Sequence, residues 1–278
     1  MATSFSGELA TGPTRAEVSK IKATCGALGL LVWCLVMPIL FYSGHFLRVP
    51  GHRRLLLAFH HGVKRLFNIY TEYEGELRTH TPTLYVCNHQ SYLDVFVLGS
   101  VLRGAFIAKS EVAGWPLFGT LAKVQDTLFF ERSTRKAREQ IEVMRDHLQS
   151  GRNLILFPEG TSTEGTHVEP FRSSLFEAAV GGERAVWVQP VTVAYTDYQD
   201  VRMTQAERDR YAWYLPMTFM PHFFYGLGLG RCTAKLVFHE PVRESDFESR
   251  KAWAAHCENA VRAGLDQALG VDRTDEHG

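Results

Sequence analysis

Residues 86–96 read VCNHQSYLDVF and set a histidine, His89, five positions before an aspartate, Asp94. The preceding TLYV (83–86) is β-branched and aromatic, and the following YLDVFVLGSVL (92–102) is apolar and helix-compatible. On one regular helix, five steps of about 100° would point the two side chains well apart. The local order instead predicts a strand, a turn holding His89, and a helix whose first turn carries Asp94 back towards the imidazole. Asn88 and Ser91 are turn-forming and capping types in suitable places. A carboxylate so placed accepts from one ring nitrogen and leaves the other to act as a general base. A surface turn with a capping aspartate fits the same spacing, so the pair has to be judged with its surroundings.

Two further clusters follow candidate strands. LFFERS puts Arg132 just beyond Phe129 and Phe130, and LILFPEGTSTEG puts Glu159 and Gly160 in a proline-interrupted loop after an apolar run. Open α/β sheets bind ligands beyond the carboxyl ends of their strands, so a base, an arginine and a carboxylate fall on one edge. Singly, Arg132 reads as a solvated charge, 158–160 as an ordinary turn and Gln189 with Pro190 as a strand irregularity. Together and in this order they read as a site. The five cysteines (Cys25, Cys34, Cys87, Cys232, Cys257) form no C-x-x-C pair, which disfavours a disulfide framework or a zinc site and fits a reducing compartment. Cys87, beside His89, reads as a small apolar residue at a strand end rather than a nucleophile.

The elements that must position these residues follow from hydropathy. The 278 residues are 45% hydrophobic, with 30 basic against 30 acidic side chains, enough for a full core and with no general case for a nucleic-acid partner. Residues 104–109, 126–130, 153–157, 185–195 and 234–240 are candidate strands. Between them STRKAREQIEVMRDHLQSG is an amphipathic helix with Ala137, Ile141, Met144 and Leu148 as its stripe, Ser133 as cap candidate and Gly151 as stop. The last helix is expected from a capping box of Ser245 and Glu248 towards Gly270. The fold class is α/β: one domain, 71–278, with a mixed, largely buried sheet flanked by helices.

Upstream, 1–22 is polar, and 23–44 carries no charged residue. At about 1.5 Å per residue that run can cross a hydrocarbon core of ~30 Å. It starts late, runs long and lacks a small-residue cleavage site, unlike a secretory signal peptide. Basic residues flank it on both sides, so the positive-inside rule picks no orientation. Pro38 is a candidate kink, and 53–70 is a basic amphipathic segment. Residues 23–70 are therefore expected to hold the chain at a membrane, as a hairpin with an interfacial helix or as a single span.

In order and separation, NHQSYLD, FFER, FPEGTST and VQPVTV resemble the four blocks of the glycerolipid acyltransferases of the PlsC type. FIAKSEVAGWPLFG (106–119) resembles the stretch that family places between its first two blocks. The resemblance covers 83–195 and is specific as a combination. It implies acyl transfer from acyl carrier protein or coenzyme A thioester to a lysolipid hydroxyl, with no other cofactor and no metal. His89 would take the hydroxyl proton and Asp94 would fix its tautomer. Lys109, Arg132, Glu159, Gly160, Thr161, Ser162 and Arg172 would bind substrate, and backbone amides near the turn would hold the oxyanion. Members that accept a phosphate usually read F-P-E-G-T-R-S, whereas Ser162 stands here in the arginine's place. With TEGTHVEPFRSSLFEAA, and more loosely RYAWYLPMTFMPH, this resembles the lyso-ornithine lipid acyltransferase branch. A lyso-aminolipid acceptor is therefore expected, in the cytoplasmic membrane with the catalytic domain facing the cytoplasm. A 1-acylglycerol-3-phosphate acceptor is the alternative, with Arg172 compensating. An esterase would need a G-x-S-x-G elbow, which is absent; a non-catalytic lipid-binding protein would not need the intact His89, Asp94 and Glu159.

Overall fold

The computed structural model describes residues 17–115, 118–131 and 133–271. The N-terminal polar segment lies largely outside them. Two helices open the fold, α1 (Lys20–Phe46) and α2 (Arg54–Leu66). Ser19 caps α1 by accepting from the Lys22 N–H, and the helix runs unbroken through Pro38. The two helices are antiparallel: Leu66 reaches Gly29, Trp33 lies over Gly62, and His52 reaches Gly44. Trp33 also donates its indole N–H to the Phe59 carbonyl at 3.0 Å. Gly26, Leu30, Cys34 and Met37 form the buried stripe of α1. Its other side leaves Leu28, Leu31, Val32, Leu35 and Ile39 more than half exposed.

The sequence suggested a helix reaching residue 70, but α2 stops at Leu66. Asn68 adopts a left-handed φ of 55° and ties its side chain to the Leu229 carbonyl at 3.2 Å, which ends the helix and starts β1 (Ile69–Gly75). Then follow β2 (Thr83–Cys87), α3 (Leu93–Gly99), β3 (Ala105–Lys109), α4 (Phe118–Val124), β4 (Leu128–Phe130), α5 (Ala137–Gln149) and β5 (Leu154–Leu156). The chain continues with β6 (Trp187–Tyr198), β7 (Val201–Arg202), α6 (Gln205–Arg208), α7 (Phe219–Leu227), β8 (Cys232–Phe238) and α8 (Arg250–Leu269). The last helix starts later than its sequence suggests. Residues 244–246 form a separate turn, and Ser249 is the cap, accepting from the Ala252 N–H at 3.1 Å.

The sheet order is β1-β8-β6-β2-β5-β3-β4, with β7 on β6. β4, β3, β5, β2 and β6 run parallel; β8 is antiparallel to β6, and β1 is parallel to β8. This is the mixed sheet expected. Alternation along the strands divides the core into two layers. Tyr85 and Cys87 face the layer built from α1, α2, α3 and α7, whereas Leu84 and Val86 face the one built from α5 and α8. Both faces of the parallel strands are thereby covered, as such strands require.

Candidate active site

The turn after β2 carries His89, and Asp94 sits in the first turn of α3. His89 Nδ1 and Asp94 Oδ2 lie 2.9 Å apart. The same oxygen accepts from the N–H groups of Gln90, at 2.8 Å, and Ser91, at 2.9 Å. Oδ1 accepts from the Tyr195 hydroxyl at 3.0 Å. Every group facing this fully buried carboxylate is a donor, so Asp94 is held as an acceptor and Nδ1 carries the imidazole proton. Nε2 is left with its lone pair and has no partner among the described residues, and the side chain is 21% exposed. The ring stacks on Phe157 with centroids 4.0 Å apart, which fixes its plane. Asn88 locks the turn to β6 by exchanging two hydrogen bonds with the Val193 backbone, at 2.8 and 2.9 Å.

Glu159 lies in the loop after β5. One oxygen accepts from the His89 N–H at 2.6 Å and the other from the Glu169 N–H at 2.8 Å. Burial pushes its carboxyl up to about 8, against the pull of those two donors. Glu159 thus staples the His89 turn to the 159–169 loop rather than facing solvent. This also changes the oxyanion expectation: the amides of His89, Gln90 and Ser91 already donate to carboxylates. The amides of Thr161 and Ser162, in the facing loop, have no acceptor among the described residues.

Gly160 has φ +71°, and a Cβ there would lie 2.7 Å from Arg172 Cζ. Glycine is needed on both counts. It lets the exposed Arg172 lay its guanidinium across the turn, where it forms no ion pair among the described residues. Thr161 is exposed beside it. The Ser162 hydroxyl donates to the Trp213 carbonyl at 2.7 Å, and the Trp213 N–H donates to the Gln90 carbonyl at 2.8 Å. Trp213 therefore bridges the loop after β5 and the His89 turn. Lys109 ends β3 on the same edge but is separated from β2 by β5, and it pairs with Glu111 at 3.3 Å. Arg132 lies outside the described residues. Cys87 is fully buried at the end of β2, and burial pushes its thiol well up, as suits an inert core residue.

Two residues escaped the sequence reading. Tyr195 shares a β6 face with Val191 and Val193, so counting by twos along VQPVTVAY would have aimed it into the layer beneath His89. Trp213 had no local signal, since its place depends on the fold of 199–218. It joins an aromatic wall in which Tyr92, Trp115 and Phe219 pair with ring centroids 4.9–6.0 Å apart.

Residues 68–194 match the family model described as Acyltransferase. A lyso-ornithine lipid O-acyltransferase of Rhodobacter capsulatus is 42% identical over 187 residues, spanning 66% of this chain and 65% of the relative. The protein of the same name from Brucella abortus is 40% identical over 223 residues, spanning 78% of this chain and 84% of the relative. Among solved structures, the 1-acyl-sn-glycerophosphate (LPA) acyltransferase PlsC from Thermotoga maritima shares the fold, with a TM-score of 0.58 at 24% identity over 89% of this chain and 96% of that chain.

Proposed function

The chain belongs to the acyltransferase family, and from that premise we propose that it moves a fatty acyl group from a thioester to the hydroxyl of a lyso-ornithine-type lipid. The observation that carries the chemistry is the His89–Asp94 pair, with Nδ1 protonated towards a buried carboxylate and Nε2 free. The acceptor hydroxyl gives its proton to Nε2 as its oxygen attacks the thioester carbonyl carbon. The tetrahedral intermediate then collapses, the carbon–sulfur bond breaks, and the imidazolium returns the proton to the departing thiolate. Asp94 stabilises the imidazolium between the two transfers. The donor is an acyl group on acyl carrier protein or coenzyme A, and no side chain of the protein is acylated.

The names of the relatives support a lyso-ornithine acceptor, as does Ser162. Its hydroxyl is spent on Trp213, so this position offers no cation to a phosphomonoester. Arg172, laid across Gly160, supplies one guanidinium for an acceptor carboxylate. The same guanidinium is what favours a second reading, with 1-acylglycerol-3-phosphate as acceptor.

Among the described residues α1 is the one helix long and apolar enough to cross a membrane. Its exposed apolar side and its antiparallel partner α2 support residues 23–70 as the membrane-binding unit and 71–278 as the catalytic one. Soluble thioester donors then place the active site on the cytoplasmic face of the inner membrane.

The test is a purified-protein assay with acyl-carrier-protein and coenzyme A thioesters against the lyso-aminolipid and 1-acylglycerol-3-phosphate. Ester formation on the aminolipid that disappears in His89→Ala supports the proposal. Folded protein that acylates neither lipid, or an active His89→Ala variant, overturns it.

A further inference from the structure

At the opposite end of the sheet from His89, where β2, β3 and β5 begin, a cleft of about 540 Å³ opens beside the start of α2. Among the described residues, four arginines line it, Arg53, Arg54, Arg103 and Arg152, against a single carboxylate, Asp126. Arg53 pairs with Asp126. Arg54, Arg103 and Arg152 are exposed and have no carboxylate partner among the described residues. Two buried histidines, His60 and His147, complete the lining, and burial holds both below the usual imidazole range, so they add no charge. The positive charge of the cleft is therefore concentrated in guanidinium groups, whose planar forks suit phosphate oxygens.

The rim continues into the turn joining α1 to α2. There Arg48 stands among Phe46, Leu47 and Val49, which are 84%, 69% and 46% exposed. Apolar and cationic side chains side by side suit a membrane surface that bears anionic headgroups. We infer that this cleft binds the phosphate-bearing headgroup of an acidic membrane lipid, at a site separate from the acyl-transfer centre. The site would respond to the charge of the surrounding lipid without taking part in the reaction.

The test uses the full chain in uncharged detergent micelles, titrated with short-chain phosphatidylglycerol, with short-chain phosphatidylcholine, and with inorganic phosphate. Saturable binding of phosphatidylglycerol well above phosphatidylcholine is expected. Each arginine near a lipid surface is worth roughly fivefold in affinity, so Arg103→Gln/Arg152→Gln should weaken it by more than tenfold. Asp126→Asn should tighten it roughly fivefold by releasing Arg53; asparagine tolerates the φ of 58° at this position. Arg172→Gln, which removes the guanidinium proposed to hold the acceptor, should bind as the parent does, which separates this cleft from an acidic lipid captured as substrate. Inorganic phosphate that binds as tightly, and is lost in the arginine variant, would assign the cleft to a soluble anion. Equal binding of the two lipids, or the same affinity in all the variants, overturns the site.

Discussion

Tyr195 donates its hydroxyl to Asp94 Oδ1 across 3.0 Å, from a strand adjacent to the one that delivers His89. Burial pushes the phenol well above its ordinary range, so it remains a donor throughout the working pH. Asp94 is thus fixed from the sheet as well as from its own turn. The carboxylate cannot rotate away from His89 without abandoning a buried hydroxyl.

Loss of that hydroxyl in Tyr195→Phe should lower kcat by roughly ten- to a hundredfold, the worth of one hydrogen bond to a charged group. KM should change little, since Tyr195 lies beneath the His89–Asp94 pair. His89→Ala and Asp94→Asn should each cost several orders of magnitude, and the double variant little more than the worse single one. Steady-state kinetics across the cycle check this. Additive losses in folded protein would mean that the two residues do not act as a unit.

Ser162→Arg tests acceptor choice. The substitution adds a cation for a phosphate but also removes the hydroxyl that holds Trp213. Ser162→Ala separates the two effects, because it loses the bridge without gaining charge. A charge-assisted hydrogen bond contributes about 1.5–3 kcal/mol, so the arginine variant should favour 1-acylglycerol-3-phosphate by one to two orders of magnitude relative to the alanine variant. The measurement is kcat/KM on both acceptors with one donor. A parent enzyme that already prefers the phosphate would assign that role to Arg172.

Local pattern revealed the strand, turn and helix around His89 because each element there obeys its own period and capping chemistry. The sheet class was readable for the same reason, from apolar runs separated by one amphipathic helix. What could not be read depends on distant partners. β1 went unread because its signal is weak, its first two residues being counted with the preceding helix, and what ends α2 is a bond from Asn68 to residue 229. Glu159 was legible as a site residue, but not its use as a staple, which needs two backbone donors from different loops. Trp213 is placed by bonds to residues far away in sequence, and no window around it contains them.

Falling pH should remove the stability contributed by two buried histidines. His60 and His222 are both buried and both lowered to about 4, chiefly by burial. A histidine whose folded value lies below its unfolded 6.5 contributes stability above pH 6.5 and loses it as pH falls towards 4. Each is worth up to roughly 3 kcal/mol over that window. Glu159, raised to about 8, gives the opposite slope between about pH 4.5 and 8. Unfolding free energies of the parent and of His60→Gln/His222→Gln should therefore converge as pH falls from 7 to 4. Parallel curves would show that neither histidine is linked to folding.

Membrane attachment should survive high salt. The exposed side of α1 presents Leu31, Leu35 and Ile39 at 51%, 55% and 65% exposure, and burial of such a face is not screened by ions. High-salt washing should therefore leave the full chain on vesicles. Deleting α1 is a poor control, because Leu30, Cys34 and Met37 belong to the core. Leu35→Glu/Ile39→Lys is better: both side chains are exposed, and a Glu four residues before a Lys supports the helix. At the centre of a bilayer, lysine costs about 2.5–3.5 kcal/mol, and an ionised glutamate is likewise disfavoured. The variant should retain its thermal stability in detergent yet no longer bind zwitterionic vesicles. If it stays bound as the parent does, the face of α1 that meets lipid is not the one left exposed by the fold.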